Sequence, residues 1–382
     1  VKNAPFRAAR FSVRKLGVQP SWIGYRWVEP VALSRYAEEI GASSRYQVIH
    51  RAARASNELP RNVSSSGDLP ADRGWWGYSF RDVPSRMSGE TVQVTLTNCR
   101  VLPYVDPRNS QFYVCVVTPD ERTLDLREMQ FRRDRHPAML RSARPAVRME
   151  RATWILERVY HNHSHWLTAH LPKVLLARER GLLSDTILPG EKRTETIDAS
   201  LRMLGIDEAG PRLDPIVPIE VEELTVLQAD RFRPELLESV RSAFAPWISG
   251  ARERRLYISR ARAQRRKLTN ENEVWGLAEA AGFERVFMED HPFEEQVRMM
   301  GEAEAVMAPH GAGLTNMIFA PPGTRVIEIA DLGFPNPNFY ALASAMGHPY
   351  WILPAETRGE GHPLERDMWI DPEQVRETLA EL

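Results

Sequence analysis

Eight consecutive residues, Pro309-His310-Gly311-Ala312-Gly313-Leu314-Thr315-Asn316, carry the sharpest chemical signal in this sequence, because they read as a passage from strand to helix through two glycines. Glycines at a strand's carboxyl end let backbone N–H groups approach a ligand, and the helix that follows presents its partly positive N-terminus. A diphosphate suits that geometry, with His310 hydrogen-bonding a phosphate or a sugar hydroxyl. A plain tight turn capped by the histidine accounts for the same residues. Upstream, Tyr257-Ile258-Ser259-Arg260 reads as a strand delivering an arginine to its end, and eight basic residues lie between Arg252 and Lys267. Such a run is ordinarily a solvated face. A guanidinium can also grip phosphate oxygens in a fork and neutralise a departing nucleoside diphosphate, and Arg260 with Arg265 or Arg266 is the expected grip.

Glu328 lies inside the aliphatic run Val326-Ile327-Glu328-Ile329, where a charge needs a partner. A ribose diol or a structural arginine would serve. Asn270, Glu271 and Glu273 begin a helix, so N-capping and favourable dipole placement explain them, and Glu295-Gln296 at a later helix start has the same explanation. Four histidines fall between His161 and His170, and the spacing of His161 and His165 invites a metal site. With no cysteine or carboxylate among them and Glu157 the nearest extra ligand, no metal is assigned. A general base accepting the proton of an acceptor hydroxyl is the better use of such a histidine.

The elements that must position these groups follow from the pattern of the 382 residues, a length that suits two domains. Fifty Lys and Arg against 51 Asp and Glu give a net charge of −1, so no global field attracts nucleic acid or acidic lipid, and any anion site must be local. The two cysteines, Cys99 and Cys115, read as reduced, buried strand residues. The start of the chain carries no apolar run of leader type and nothing approaches a membrane span, so a cytoplasmic location is expected, with peripheral contact at the inner face of the cell membrane allowed. Residues 57–72 read as loop or linker, and the Asn62-Val63-Ser64 acceptor pattern within them as chance. Thr91–Leu96 and Phe112–Val117 read as strands. Beyond about residue 150, helices and strands alternate as in a parallel sheet covered on both faces, and two successive α/β units meet near residues 245–253. The expected division is 1–75 as a small β-rich N-terminal extension and linker, 76–245 as a β-rich plus Rossmann-like acceptor domain, and 246–382 as a Rossmann-like nucleotide-sugar-binding domain.

In this order the segments resemble glycosyltransferase family 61. The matching stretches are Asn162–Pro172, Tyr257–Glu273, Phe293–Gln296 and Ala308–Ile329. The resemblance implies a GT-B arrangement, two Rossmann-like domains facing across a cleft, and inverting, metal-independent transfer without a cofactor. The implied partners are a nucleotide-sugar, with a UDP-linked sugar as the expectation, and a hydroxyl of a glycan or glycoconjugate in surface polysaccharide synthesis. It also implies that Arg260, Arg265 or Arg266, and the turn His310, Gly311, Ala312, Gly313, Leu314, Thr315 and Asn316 hold the diphosphate while Glu328 reaches ribose. Asn162 and Trp166 fall on the acceptor side. One departure matters: the family's first motif has an acidic residue four positions after its histidine, and here that position is Ala169. His165, which matches the motif histidine, or His170 would then have to serve as base. A non-catalytic nucleotide-sugar-binding protein of the same fold is the alternative.

Overall fold

A computed structural model describes residues 30–41, 45–74, 76–105, 112–126, 147–190, 193–213, 217–358 and 360–382, with isolated positions among the first 22 and at 129. Most of the expected N-terminal extension up to residue 29 lies outside the described residues. The chain forms two compact units, and each gathers distant segments. One holds Val1–Arg51, Gly89–Thr194 and Gly205–Asp230; the other holds Ala52–Ser88, Glu195–Leu204 and Arg231–Leu382. The linear division expected near residues 75 and 245 differs from this exchange of segments. Residues 52–88 fold with the C-terminal series because their polar groups pair there.

In the first unit a seven-stranded sheet runs in the order β1 (Pro30–Ala32), β5 (Thr123–Asp125), β4 (Phe112–Val117), β3 (Thr91–Val105), β7 (Ile219–Gln228), β6 (Val147–Trp154), with β2 (Tyr46–His50) also paired to β3. The alternation at Thr91–Leu96 becomes the start of the 15-residue strand β3, and the apolar run Phe112–Val117 becomes a fully buried strand. This sheet is mixed. β3 is antiparallel to β2, β4 and β7, whereas β7 runs parallel to β6. The parallel pattern expected beyond about residue 150 is met by β6 and β7, whereas only six residues separate β3 from β4, too few for a parallel crossover. Cys99 and Cys115 are buried free thiols, and burial pushes Cys99 up to about 12.

The second unit has the doubly wound pattern. Its six strands lie in the order β9 (Glu284–Val286), β8 (Arg254–Ile258), β10 (Ala303–Pro309), β11 (Arg325–Asp331), β12 (Tyr350–Arg358), β13 (Asp367–Trp369), all parallel except β13. Helices Glu271–Ala280, Phe293–Gly301 and Asn338–Ala345 connect successive strands, as parallel pairing requires. One face packs Tyr257, Val274, Met307 and Ile327 into a core cluster with Val375 from the last helix. An aromatic group, Phe244, Phe293 and Phe319, with centroids 5.1–5.9 Å apart, also lies wholly buried in this unit. The stretch read as linker runs beside β12: Arg61 N donates to Tyr350 O at 2.7 Å, and the Asn62 amide exchanges two hydrogen bonds with Ile352, at 2.7 and 3.1 Å. Asn62 thereby satisfies backbone groups of a strand that β13 joins only from Glu356 onward. Among the described residues no helix is long and apolar enough to cross a membrane.

Candidate functional site

In the second unit, β8 is followed in sequence by β9 on one side and β10 on the other, so strand order reverses between β8 and β10. Open α/β sheets hold ligands outside the carboxyl ends of their strands at such a point. Arg260 follows β8 and the His310–Gly313 turn follows β10, so both come to the reversal. They touch. Gly311 is extended (φ −179°), a conformation any residue adopts, but a Cβ there would lie 2.1 Å from Arg260 Nη1 and 2.9 Å from its Cζ. Any side chain at this position would displace the guanidinium. Two residues on, a Cβ at Gly313 would stand 3.2 Å from Ile258 Cγ2, so the second glycine lets the turn close onto the end of β8.

Arg260 is held from behind by carbonyls, Nε donating to Arg266 O at 3.2 Å and Nη2 to Arg265 O at 3.0 Å. Among the described residues no carboxylate pairs with Arg260 or with Arg266. Burial lowers the pKa of Arg260, and it lowers Arg266 to about 10, with the neighbouring Arg260 charge the next cause. Glu289, Asp367 and Glu271 offset the burial of Arg260 from a distance and Glu328 that of Arg266, but none of them pairs with either guanidinium, and an arriving anion would supply that contact. The turn adds donors. Leu314 N closes onto Gly311 O at 3.0 Å, while the N–H groups of Gly311, Ala312 and Gly313 find no backbone acceptor among the described residues. The Ala312–Phe319 helix is of the tighter 3-10 type and begins two residues before the expected Leu314.

His310 is buried and tied at both ring nitrogens. Nδ1 bonds the Glu328 carboxylate, Nε2 lies 3.1 Å from Asn336 Nδ2, and the ring meets Phe339 edge to face at 4.9 Å. Nδ1–H donation to the carboxylate leaves Nε2 to accept from the Asn336 amide. Glu328 is 0% exposed, and its second oxygen accepts from the Tyr350 hydroxyl. Burial and the adjacent carboxylate hold the Tyr350 phenol well above its usual pKa, so it remains a donor. The expectation that Glu328 reaches a ribose is therefore corrected: both oxygens are committed to His310 and Tyr350, and the partner is not an arginine.

Other expected groups turn away. Arg265 is exposed and pairs with Glu365 at 3.0 Å. Leu314, Thr315 and Asn316 are buried, because the short helix is enclosed on every side from Leu314 to Phe319, and the Asn316 amide donates to Gln296 Oε1 at 2.9 Å. Gln296 in turn donates to the carbonyls of Met288 and His291, so it braces a loop instead of merely opening a helix. Glu271 is also more than a dipole residue. It is buried, accepts from the Ser259 hydroxyl, and takes Arg285 Nη2 at 3.0 Å. Ser259 Oγ accepts from Ala261 N at 3.2 Å, which fixes the chain on either side of Arg260. Asn270 does not cap the helix with its side chain; its amide clamps Ile370 at 2.8 and 3.3 Å. Local sequence gave Glu271 and Asn270 only a capping role, since both true partners are distant.

In the first unit the histidine segment opens one helix with three distinct turns: α-helical His163–His165, π-helical Trp166–His170, and α-helical Leu171–Glu179. Asn162, expected on the acceptor side, is the N-cap, its Oδ1 accepting from His165 N at 3.2 Å. Trp166, likewise expected there, is wholly buried and stacks on His170 with centroids 6.0 Å apart. His170 is corrected as a base. It is 0% exposed, Nε2 accepting from Glu157 N at 3.1 Å and Nδ1 facing His165 O at 3.0 Å. Glu157 forms a buried ion pair with Lys173. His165 is half-buried, and Ala169 is buried in the π-helical turn.

The second unit thus belongs to the class of doubly wound α/β units, with a glycine turn and two guanidiniums without carboxylate contacts at its switch point. Residues 163–327 match the family model Glycosyltransferase 61. Similar curated proteins include a beta-1,2-xylosyltransferase of Arabidopsis thaliana, 37% identical over 60 residues, which are 16% of this chain and 11% of the relative. A protein O-linked-mannose beta-1,4-N-acetylglucosaminyltransferase 2 of Xenopus laevis is 36% identical over 84 residues, covering 21% of this chain and 14% of the relative. An alpha-1,3-arabinosyltransferase of Oryza sativa subsp. japonica is 35% identical over 89 residues, 22% of this chain and 15% of the relative. The chain thus spans only a small part of the length of the curated relatives it matches.

Proposed function

We propose that the protein is an inverting, metal-independent glycosyltransferase that moves a sugar from a nucleoside diphosphate, UDP being the first choice, to a hydroxyl of a glycan or glycoconjugate. One observation carries this reading: Arg260, packed on the Gly311 turn, and Arg266, beside His310, are guanidiniums without carboxylate contacts, and the turn's N–H groups find no backbone acceptor among the described residues. The similarity to sugar transferases supports it. In the reaction an acceptor oxygen forms a bond to the anomeric carbon as the bond to the diphosphate breaks. The acceptor proton passes to a base, for which His165 is the candidate now that His170 is locked. The electron pair leaves with the diphosphate, where Arg260, Arg266 and the turn stabilise the added charge. A surface polysaccharide is the acceptor class proposed, and chelators are expected to leave transfer intact.

Arg260→Ala tests the reading directly. UDP affinity, measured by calorimetry, should fall roughly tenfold to a hundredfold, as for loss of charged hydrogen bonds, with turnover falling further. Affinity and turnover within twofold of the parent protein would sink the proposal. A second reading, a nucleotide-sugar-binding protein without turnover, is favoured by Ala169 in place of the family's acidic residue. Donor binding combined with no transfer and no donor hydrolysis, identical in His165→Ala, would select it.

A further inference from the structure

The burial of Glu328 leaves the hydroxyl-reading role open, and the same strand carries a second carboxylate to its end. Asp331 closes β11 and is half-buried. Its Oδ1 accepts from Gly333 N at 2.7 Å, while Oδ2 has no hydrogen-bond partner among the described residues. With Arg266, His310, Phe334 and Asn336 it lines a small pocket beside the anion crevice, so Arg266 and His310 belong to both. Of the polar groups in that pocket, Asn336 is already engaged at both ends, its Oδ1 accepting from Asn338 N at 3.1 Å and its Nδ2 facing His310 Nε2. Asp331 therefore offers the pocket's uncommitted acceptor. A carboxylate repels phosphate and accepts from O–H groups, so it selects the neutral, hydroxylated part of a ligand whose anionic part sits on the arginines.

We infer that Asp331 is a specificity-determining residue which binds a vicinal diol attached to the diphosphate held by Arg260 and Arg266. This rests on the donor reading proposed above. Both the ribose of the nucleoside and the sugar to be transferred carry such a diol, and the shared chemistry is hydroxyl donation to Asp331 Oδ2.

The test compares pyrophosphate, UDP and a UDP-hexose by calorimetry on the whole chain and on its Asp331→Ala and Asp331→Asn variants. The asparagine keeps an oxygen for Gly333 N, so the loop turn survives in at least one variant. Loss of hydrogen bonds to a charged group should weaken the diol ligand roughly tenfold or more, with pyrophosphate bound as well as before or better. If UDP and UDP-hexose weaken together, the diol is that of ribose; if UDP-hexose alone weakens, it is that of the transferred sugar. Both results support the inference. Undiminished binding of all three ligands in both variants would overturn it while leaving the donor crevice intact. Failure of the parent protein to bind pyrophosphate or UDP would instead remove the donor reading, and the inference with it.

Discussion

The switch-point crevice of the second unit and the histidine segment of the first are both dense in ionisable side chains, yet they handle charge in opposite ways. In the histidine segment His170 spends both nitrogens on backbone groups, Asn162 caps a helix, and Lys173 neutralises Glu157 inside the fold. In the crevice, Arg260 is held by the carbonyls of Arg265 and Arg266, and neither it nor Arg266 has a carboxylate in contact among the described residues. Satisfied polar groups stabilise and specify a fold, whereas charge kept without a counterion is free energy reserved for a ligand. Residue type alone does not separate the two cases; the partners do.

If that contrast holds, removing charge from the segment should cost stability. Lys173→Met strands Glu157 in the interior, and unfolding in urea should show a loss of about 3–5 kcal/mol, with UDP affinity of the remaining folded protein unchanged. A loss below about 1 kcal/mol would mean the pair is wetter than its burial indicates. A second effect, of roughly 3 kcal/mol, is expected from pH and lies in the core of the crevice's own unit. His348 is lowered to about 4, first by burial and then, against its bond to Met317 O, by the positive charge of Arg241 and Arg252. Between about pH 6.5 and 4 the unfolded chain holds a proton that the native ring refuses, so the stability is fully present above that window and is lost as pH falls through it. Urea midpoints at pH 7 and pH 4.5 should reveal the drop, which His348→Gln should flatten. The smallest effect sharpens the crevice side. Gly311→Ala drives a methyl into the guanidinium of Arg260, and UDP affinity should fall about tenfold with stability changed by less than about 1 kcal/mol. Equal affinity would show that Arg260 can move aside without consequence.

The second unit was largely legible because its strand and helix lengths are written with regular punctuation. Helix Phe293–Gly301 falls where the pattern puts it, and the helix beginning at Glu271 ends just before Gly282. The two cysteines expected to be buried are so. Strand β6, by contrast, was not anticipated, because its half-exposed sequence VRMERATW has charges where periodicity would show. The crevice was legible in part. Arg260 and the glycine turn stand at strand ends, which local pattern can find. Glu328 announced a buried partner, but His310 and Tyr350 lie 18 and 22 positions away, and no local rule links them. Glu271 and His170 were misread for the same reason: their roles depend on Ser259, Arg285 and Glu157, contacts that only tertiary packing creates.

The Asn62 contact with Ile352 has a practical consequence. Expressing residues 246–382 as a separate fragment would strip β12 of the chain that covers its backbone at Tyr350 and Ile352, exposing a β edge competent to recruit another copy. During synthesis the segment around Asn62 emerges nearly three hundred residues before its partner, so the nascent protein must carry that stretch unpaired until Ile352 has been made.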